Sequence, residues 1–195
     1  MNLKYLFRLF LLSLMIVVIG CSRSKYDQLV KAEMAKGIVN DSLMLGMKLG
    51  QTQKEFFDKC WKLNREKIVT NGPDGFVMYE LPVKKENDKG DAITMLFYGI
   101  FNEDKTMTGM NFQFYYQSWS LWNKSLQSDR LIPEVKSRFM EWYPGNDFIK
   151  VELKNDEGEI FVKVDGIRRI TIKPLDDNRV VKAQIDDLRY ILSKQ

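Results

Sequence analysis

The chain has no histidine among its 195 residues. That removes the usual general base, the Ser-His and Cys-His nucleophile pairs, and most zinc and copper sites. Cysteine is almost as scarce, with Cys21 and Cys60 alone. A glycine-rich phosphate loop is missing too, since Gly46 and Gly50 lack the lysine–serine pairing such loops need. Beyond residue 20 no apolar run is long enough to span a bilayer. Nor does one charge dominate: 30 basic and 26 acidic residues leave +4, and +2 without Lys4 and Arg8. A nucleic-acid binder needs a concentrated basic surface to displace counterions, so nucleic acid is not expected as a partner. The basic pairs Lys84-Lys85 and Arg168-Arg169 read as solvated turns or strand edges.

What is present is enough for a packed domain: 45% hydrophobic residues, with 29% charged residues for a wettable surface. The amino end is set apart. Lys4 and Arg8 supply a positive start, Leu9 to Ile19 an apolar stretch too short for a span, and Val18-Ile19-Gly20-Cys21 a small residue directly before a cysteine. This pattern resembles the lipobox of bacterial lipoproteins. The resemblance implies cleavage before Cys21, diacylglycerol on its sulfur and acylation of the new terminus. Several acyl chains hold a soluble domain on a membrane where one is marginal. Ser22 is not the aspartate of the inner-membrane retention pattern, which by the same resemblance implies the outer membrane. Arg23-Ser24-Lys25 is not the acidic cluster of surface-exported lipoproteins, which favours the periplasmic face. With Cys21 acylated, Cys60 has no disulfide partner and reads as a small buried hydrophobe.

The reading of the mature chain centres on Asp41 to Leu63. Leu43, Leu45, Met47 and Leu49 alternate like a short extended segment. Thr52 and Glu55 form a capping box, after which Phe56, Cys60 and Leu63 make an apolar helical stripe that Phe57 and Trp61 widen. A helix is expected before it, from Tyr26 to about Lys36, capped by Ser24 and stopped at Gly37. Strands are expected at 76–81, 92–101 and 108–119, with Phe112, Phe114 and Tyr116 on one face and Asn111, Gln113, Tyr115 and Gln117 on the other. A further helix, 132–142, tolerates Pro133 only in its first turn. Strands at 148–153, 160–164, 167–173 and 180–185 follow, and the chain's end reads equally as strand or helix, the latter through Val181, Ile185, Leu188 and Leu192.

This order predicts an α+β fold, helices packed on antiparallel sheet in two successive helix-then-meander halves of about three strands each. The domain boundaries are 1–20 signal peptide, 21–40 lipid tether and first helix, 41–122 first half and 123–195 second half. Leu-Gly-Met followed closely by Gly-Gln-Thr-Gln-Lys-Glu-Phe, after a lipobox and short tether, resembles the SmpA/BamE outer-membrane lipoprotein superfamily. The chain has an extra Leu49-Gly50 and lacks the Gly-Pro that usually follows that family's helix. In tandem, the two halves resemble the β-lactamase inhibitor protein architecture. The run from Asn40 through Trp61 is also similar to uncharacterised lipoproteins of the Bacteroidetes.

Chemistry is thin. Asn155-Asp156-Glu157-Gly158 and Asp176-Asp177-Asn178 lack calcium-loop spacing and read as turns. Asp74, Glu80, Asp129 and Glu134 are the carboxylates that a glycan or cell-wall hydrolase would need to converge. Tyr115, Trp119 and Trp122 are the candidate binding surface for a glycan or protein partner, whereas most other aromatics are expected to fill the core. The expectation is a non-catalytic envelope lipoprotein, membrane-held through Cys21, without cofactor or metal, binding a protein or ligand at the outer membrane. The alternative is the carboxylate-dependent hydrolase.

Overall fold

A computed structural model describes residues 24–82, 92–153, 158–174 and 177–193. The signal segment with Cys21, the 84–91 loop and most of the 155–158 turn therefore lie outside the described residues. Four α-helices and eight strands are present among the described residues: α1 Lys25–Ala35, α2 Gln53–Arg65, β1 Thr70–Asn71, β2 Val77–Glu80, β3 Ile93–Phe101, β4 Met107–Tyr116, α3 Ser128–Trp142, β5 Ile149–Glu152, β6 Glu159–Asp165, β7 Arg168–Pro174, β8 Val181–Asp187 and α4 Leu188–Leu192.

The fold is α+β. All eight strands join one antiparallel sheet in the order β1-β2-β3-β4-β8-β7-β6-β5. Two four-stranded meanders meet through their last strands: all four strands of the second were expected, and the short β1 is one more than expected in the first. Phe112 opposes Ala183 and Met110 opposes Ile185 across that seam.

Alternation decides which side of the sheet is buried. Met110, Phe112, Phe114 and Tyr116 of β4 point to one face, with Met95 and Phe97 of β3, Ile170 and Ile172 of β7, and Ile185 of β8. Phe139 of α3 meets Phe112 and Phe114 edge-on at 5.5 and 5.8 Å. Leu131 and Val135 continue its stripe. The capping box of α2 forms as expected, the Glu55 N–H donating to Thr52 Oγ1 and the Thr52 N–H to Glu55 Oε2. Phe56, Cys60 and Leu63 enter the same core. Phe56 makes edge-on contacts at 5.7 Å with Tyr98 and 5.6 Å with Phe101.

The opposite face is covered differently. Val162 opposes Ile149 and Thr171, so Ile149, Val162 and Thr171 share that second face. There α1 places Val30 against Val162, Val164 and Leu188. Ser24 caps α1 through the Asp27 N–H.

Several expectations need correction. The 41–49 segment is a tight loop, with Leu43 N–H donating to Met47 O at 2.8 Å and a 3-10 turn over Met44–Gly46. Leu45 adopts φ 54 at its tip and leaves the alternation, while Leu43, Met47 and Leu49 are buried. Phe57 and Trp61 are not core residues: they are 38% and 68% exposed on the outer side of α2. β4 ends at Tyr116, short of Trp119. α3 begins at Ser128, a turn earlier than Pro133 suggested, because Gln127 O accepts from the Arg130 and Leu131 N–H groups and Ser128 N–H is tied to Asn178 O. The chain's end is both things in turn: strand to Asp187, then α4, capped by Asp187 accepting from the Arg189 N–H. Arg168, read as a solvated edge, is buried.

Candidate functional site: the open sheet face and the loop after β4

The second face of the sheet is bare where α1 does not reach. Rows run across the central strands: Gln113 of β4, Lys182 of β8 and Lys173 of β7, then Asn111, Gln184 and Thr171. These side chains, with Phe76, Leu153 and Ile160 at the margins, line a groove of about 510 Å³. Lys173 and Lys182 are directly opposite each other and exposed. Like charges so placed repel, and water on this face screens them. Arg169 on the next row is instead held by Asp186, at 2.8 and 3.1 Å, and by the hydroxyl of Tyr26 from α1 at 2.8 Å.

The three aromatic residues expected to form a surface are placed in three settings. Tyr115 is half-buried on the open face, opposite Thr94 of β3. Trp119 lies beyond the strand and packs against the main core beneath the Arg179 guanidinium, 5.6 Å from its ring centre. Its indole N–H is buried without a partner. Trp122 is 88% exposed, next to the also exposed Leu121. The loop backbone around it is nonetheless ordered by local bonds: Asn123 N–H to Ser120 O, and Ser125 N–H to Asn123 Oδ1. Cys21 lies outside the described residues.

Asp74, Glu80, Asp129 and Glu134 are all exposed, on a turn, the end of β2 and successive turns of α3. Among the described residues there is no cluster of three or more metal-ligating side chains. Cys60 is a free thiol, and burial pushes its pKa up to about 11, so it is protonated at neutral pH. Among the described residues no helix is long and apolar enough to cross a membrane.

Sequence reasoning missed a buried polar cluster where α1 meets the second meander. Asn146 donates through Nδ2 to Glu33 Oε1 and to Val164 O, both at 2.7 Å, and through its N–H to Asp165 Oδ1 at 2.7 Å. Gly166 N–H donates to Glu33 Oε2 at 3.0 Å. Lys163, fully buried, donates to Asn146 O and lies 2.8 Å from Asp165 Oδ2. Burial alone would raise the pKa of Glu33, but donors from Lys36, Gly166 and Asn146 together bring it below the usual glutamate value. Gly145 makes the approach possible: at φ +144, an added Cβ would stand 2.3 Å from Asp165 Oδ1. The available signal was the unbroken Ile160-Phe161-Val162 run, which marks a strand covered on both faces.

No protein-family model, curated protein or solved structure matches the chain. The functional reading therefore rests on the geometry above and on the amino-terminal pattern.

Proposed function

We propose that the chain is a non-catalytic envelope lipoprotein, held at the outer membrane by acylated Cys21 on its periplasmic face, whose loop after β4 and adjoining open sheet face bind a protein or glycan partner. The observation that carries this reading is Trp122, 88% exposed beside exposed Leu121 on a locally bonded loop. A large indole left in water on an ordered loop is the kind of side chain that anchors interfaces. Tyr115 lies at the same end of β4 and gives the surface a polar-tipped aromatic neighbour. Kinship with the SmpA/BamE lipoproteins belongs to the same proposal, supported by the sequence pattern around 40–63.

The test replaces Trp122 with a photo-crosslinking residue in the acylated protein within its own membranes. A control places the same group at exposed Glu103, in the β3–β4 turn at the far end of the strand. The expected result is a discrete adduct from position 122, with an envelope protein or a glycan, that position 103 does not give. Identical adduct patterns from both positions overturn the proposal. Cys21→Ser is expected to move the protein from the membrane to the soluble fraction; full membrane retention of that variant overturns the anchoring.

A further inference from the structure

Arg168 opens β7 on the helix-covered face, and the strand register gives it two acidic neighbours. It opposes Asp165 across β6 and Asp187 across β8. Asp165 acts on the guanidinium electrostatically, but neither carboxylate reaches it at ion-pair distance. Asp165 is held by Asn146 and Lys163. Asp187 is gripped side-on by Arg189, with contacts from 2.6 to 3.1 Å. Arg168 is 6% exposed and stacks 4.3 Å from the Tyr143 ring centre. Its Nη1 donates to Ser42 O at 3.1 Å, and its Nε is buried without a partner. No carboxylate among the described residues forms an ion pair with it. A buried cation in that state is costly unless something supplies the missing oxygens.

Arg168 is one of the residues lining a cavity of about 440 Å³, a size typical of small-molecule sites. Met44 and Leu45 of the 41–49 loop, Tyr79 of β2 and Trp142 at the end of α3 supply the apolar walls. Leu45, another lining residue, holds a left-handed conformation that costs about 1 kcal/mol or more, the sort of strain that collects at binding sites. No lysine and no second arginine line the cavity, which suits a singly charged ligand better than a phosphate dianion.

We infer that this cavity binds a small carboxylate with a flat apolar body, the carboxylate on Arg168 and the body against Trp142 and Tyr79. The planar guanidinium fork matches a carboxylate, and aromatic walls cover a flat group that water solvates poorly. Neither Tyr115 nor Trp122 lines this cavity. The site is therefore separate from the proposed partner surface, and either can fail without the other.

The experiment titrates benzoate into the mature acylated chain in detergent, labelled with ¹⁵N-arginine. Benzamide serves as the uncharged body and inorganic phosphate as the bodiless anion. The expected result is a saturable shift of the Arg168 Nε–Hε resonance with a parallel change in tryptophan fluorescence. Benzamide and phosphate should bind at least tenfold more weakly. Arg168→Gln should weaken benzoate at least tenfold, and Trp142→Ala, which keeps the guanidinium, several-fold. A linear, unsaturable response, equal binding of benzamide, or unchanged affinity in both variants overturns the inference. If Arg168→Gln does not fold, the wild-type resonance and Trp142→Ala decide it.

Discussion

The two halves of this molecule share a plan and differ in what they bury. Around the first meander the core is almost entirely apolar: Phe56, Phe97, Met95, Met107 and Met110 have little or no contact with water, and Thr94 is the one buried polar residue of that half among the described residues. Around the second meander Lys163, Asp165, Arg168, Asp186 and Asp187 are all buried, and Glu33 of α1 joins them. Apolar packing is indifferent to direction, so many neighbouring arrangements are nearly as good. Hydrogen-bonded charges are not indifferent. The second half thus gives α1 one seat, with Glu33 reaching both Asn146 and the Gly166 N–H. The comparison teaches that the amino-terminal helix is fastened by polar geometry, while the rest of the domain is held by bulk burial.

The sharpest way to break this contrast is a pair of substitutions of similar expected size but different character. Phe56→Ala should cost about 3–5 kcal/mol through cavity formation, with no partner substitution that restores it. Asp165→Ala strands the buried Lys163 and should also cost about 3–5 kcal/mol, whereas Asp165→Ala combined with Lys163→Met, which removes both charges, should recover part of that loss. Urea unfolding of the three variants checks the contrast; a double variant no more stable than Asp165→Ala alone would erase the distinction.

Glu33→Gln should have a smaller effect, about 1–3 kcal/mol at neutral pH for lost charge-assisted hydrogen bonds. Because the folded-state pKa of Glu33 lies below its ordinary value, its contribution is complete above about pH 4.3 and drains away as pH falls through the lower folded value. The gap between wild type and variant should therefore close in acid, and a gap that widens there would contradict the polar seat of α1. Hydrogen exchange should localise the loosening to α1. The smallest effect belongs to the first half: Thr52→Ala removes one side of the capping box and should lower stability by about 1 kcal/mol, read as a small shift in the urea midpoint with no change in slope.

Much of this architecture was legible from local signals. The Thr52–Glu55 box, the Phe56/Cys60/Leu63 stripe, the Ser24 cap and the alternation along β4 each depend on residues close in sequence, and each appears in the structure. What was not legible depends on contacts made from a distance. A tryptophan at the margin of a helical stripe looks the same in sequence whether another element covers it or not, and Trp61 is not covered. Arg168 and Lys163 look solvated until α3, the 41–49 loop and α1 close over the second meander. Trp119 and Trp122 differ only because one turns beneath Arg179 while the other stays out. The aromatic surface could be nominated by composition, but which of its members faces water is a tertiary property.

The central seam has a consequence for the order in which the molecule can mature. β8 is the last strand in the chain, yet it lies fourth from one edge of the sheet, between β4 and β7. Until it arrives, the first meander ends in a ten-residue strand with Phe112 and Phe114 beside an unfilled row of backbone donors and acceptors. Such an edge invites pairing with other chains. A polypeptide emerging amino end first therefore cannot finish its sheet piecemeal: it needs shielding from its neighbours until residues 181–187 are free to close the gap.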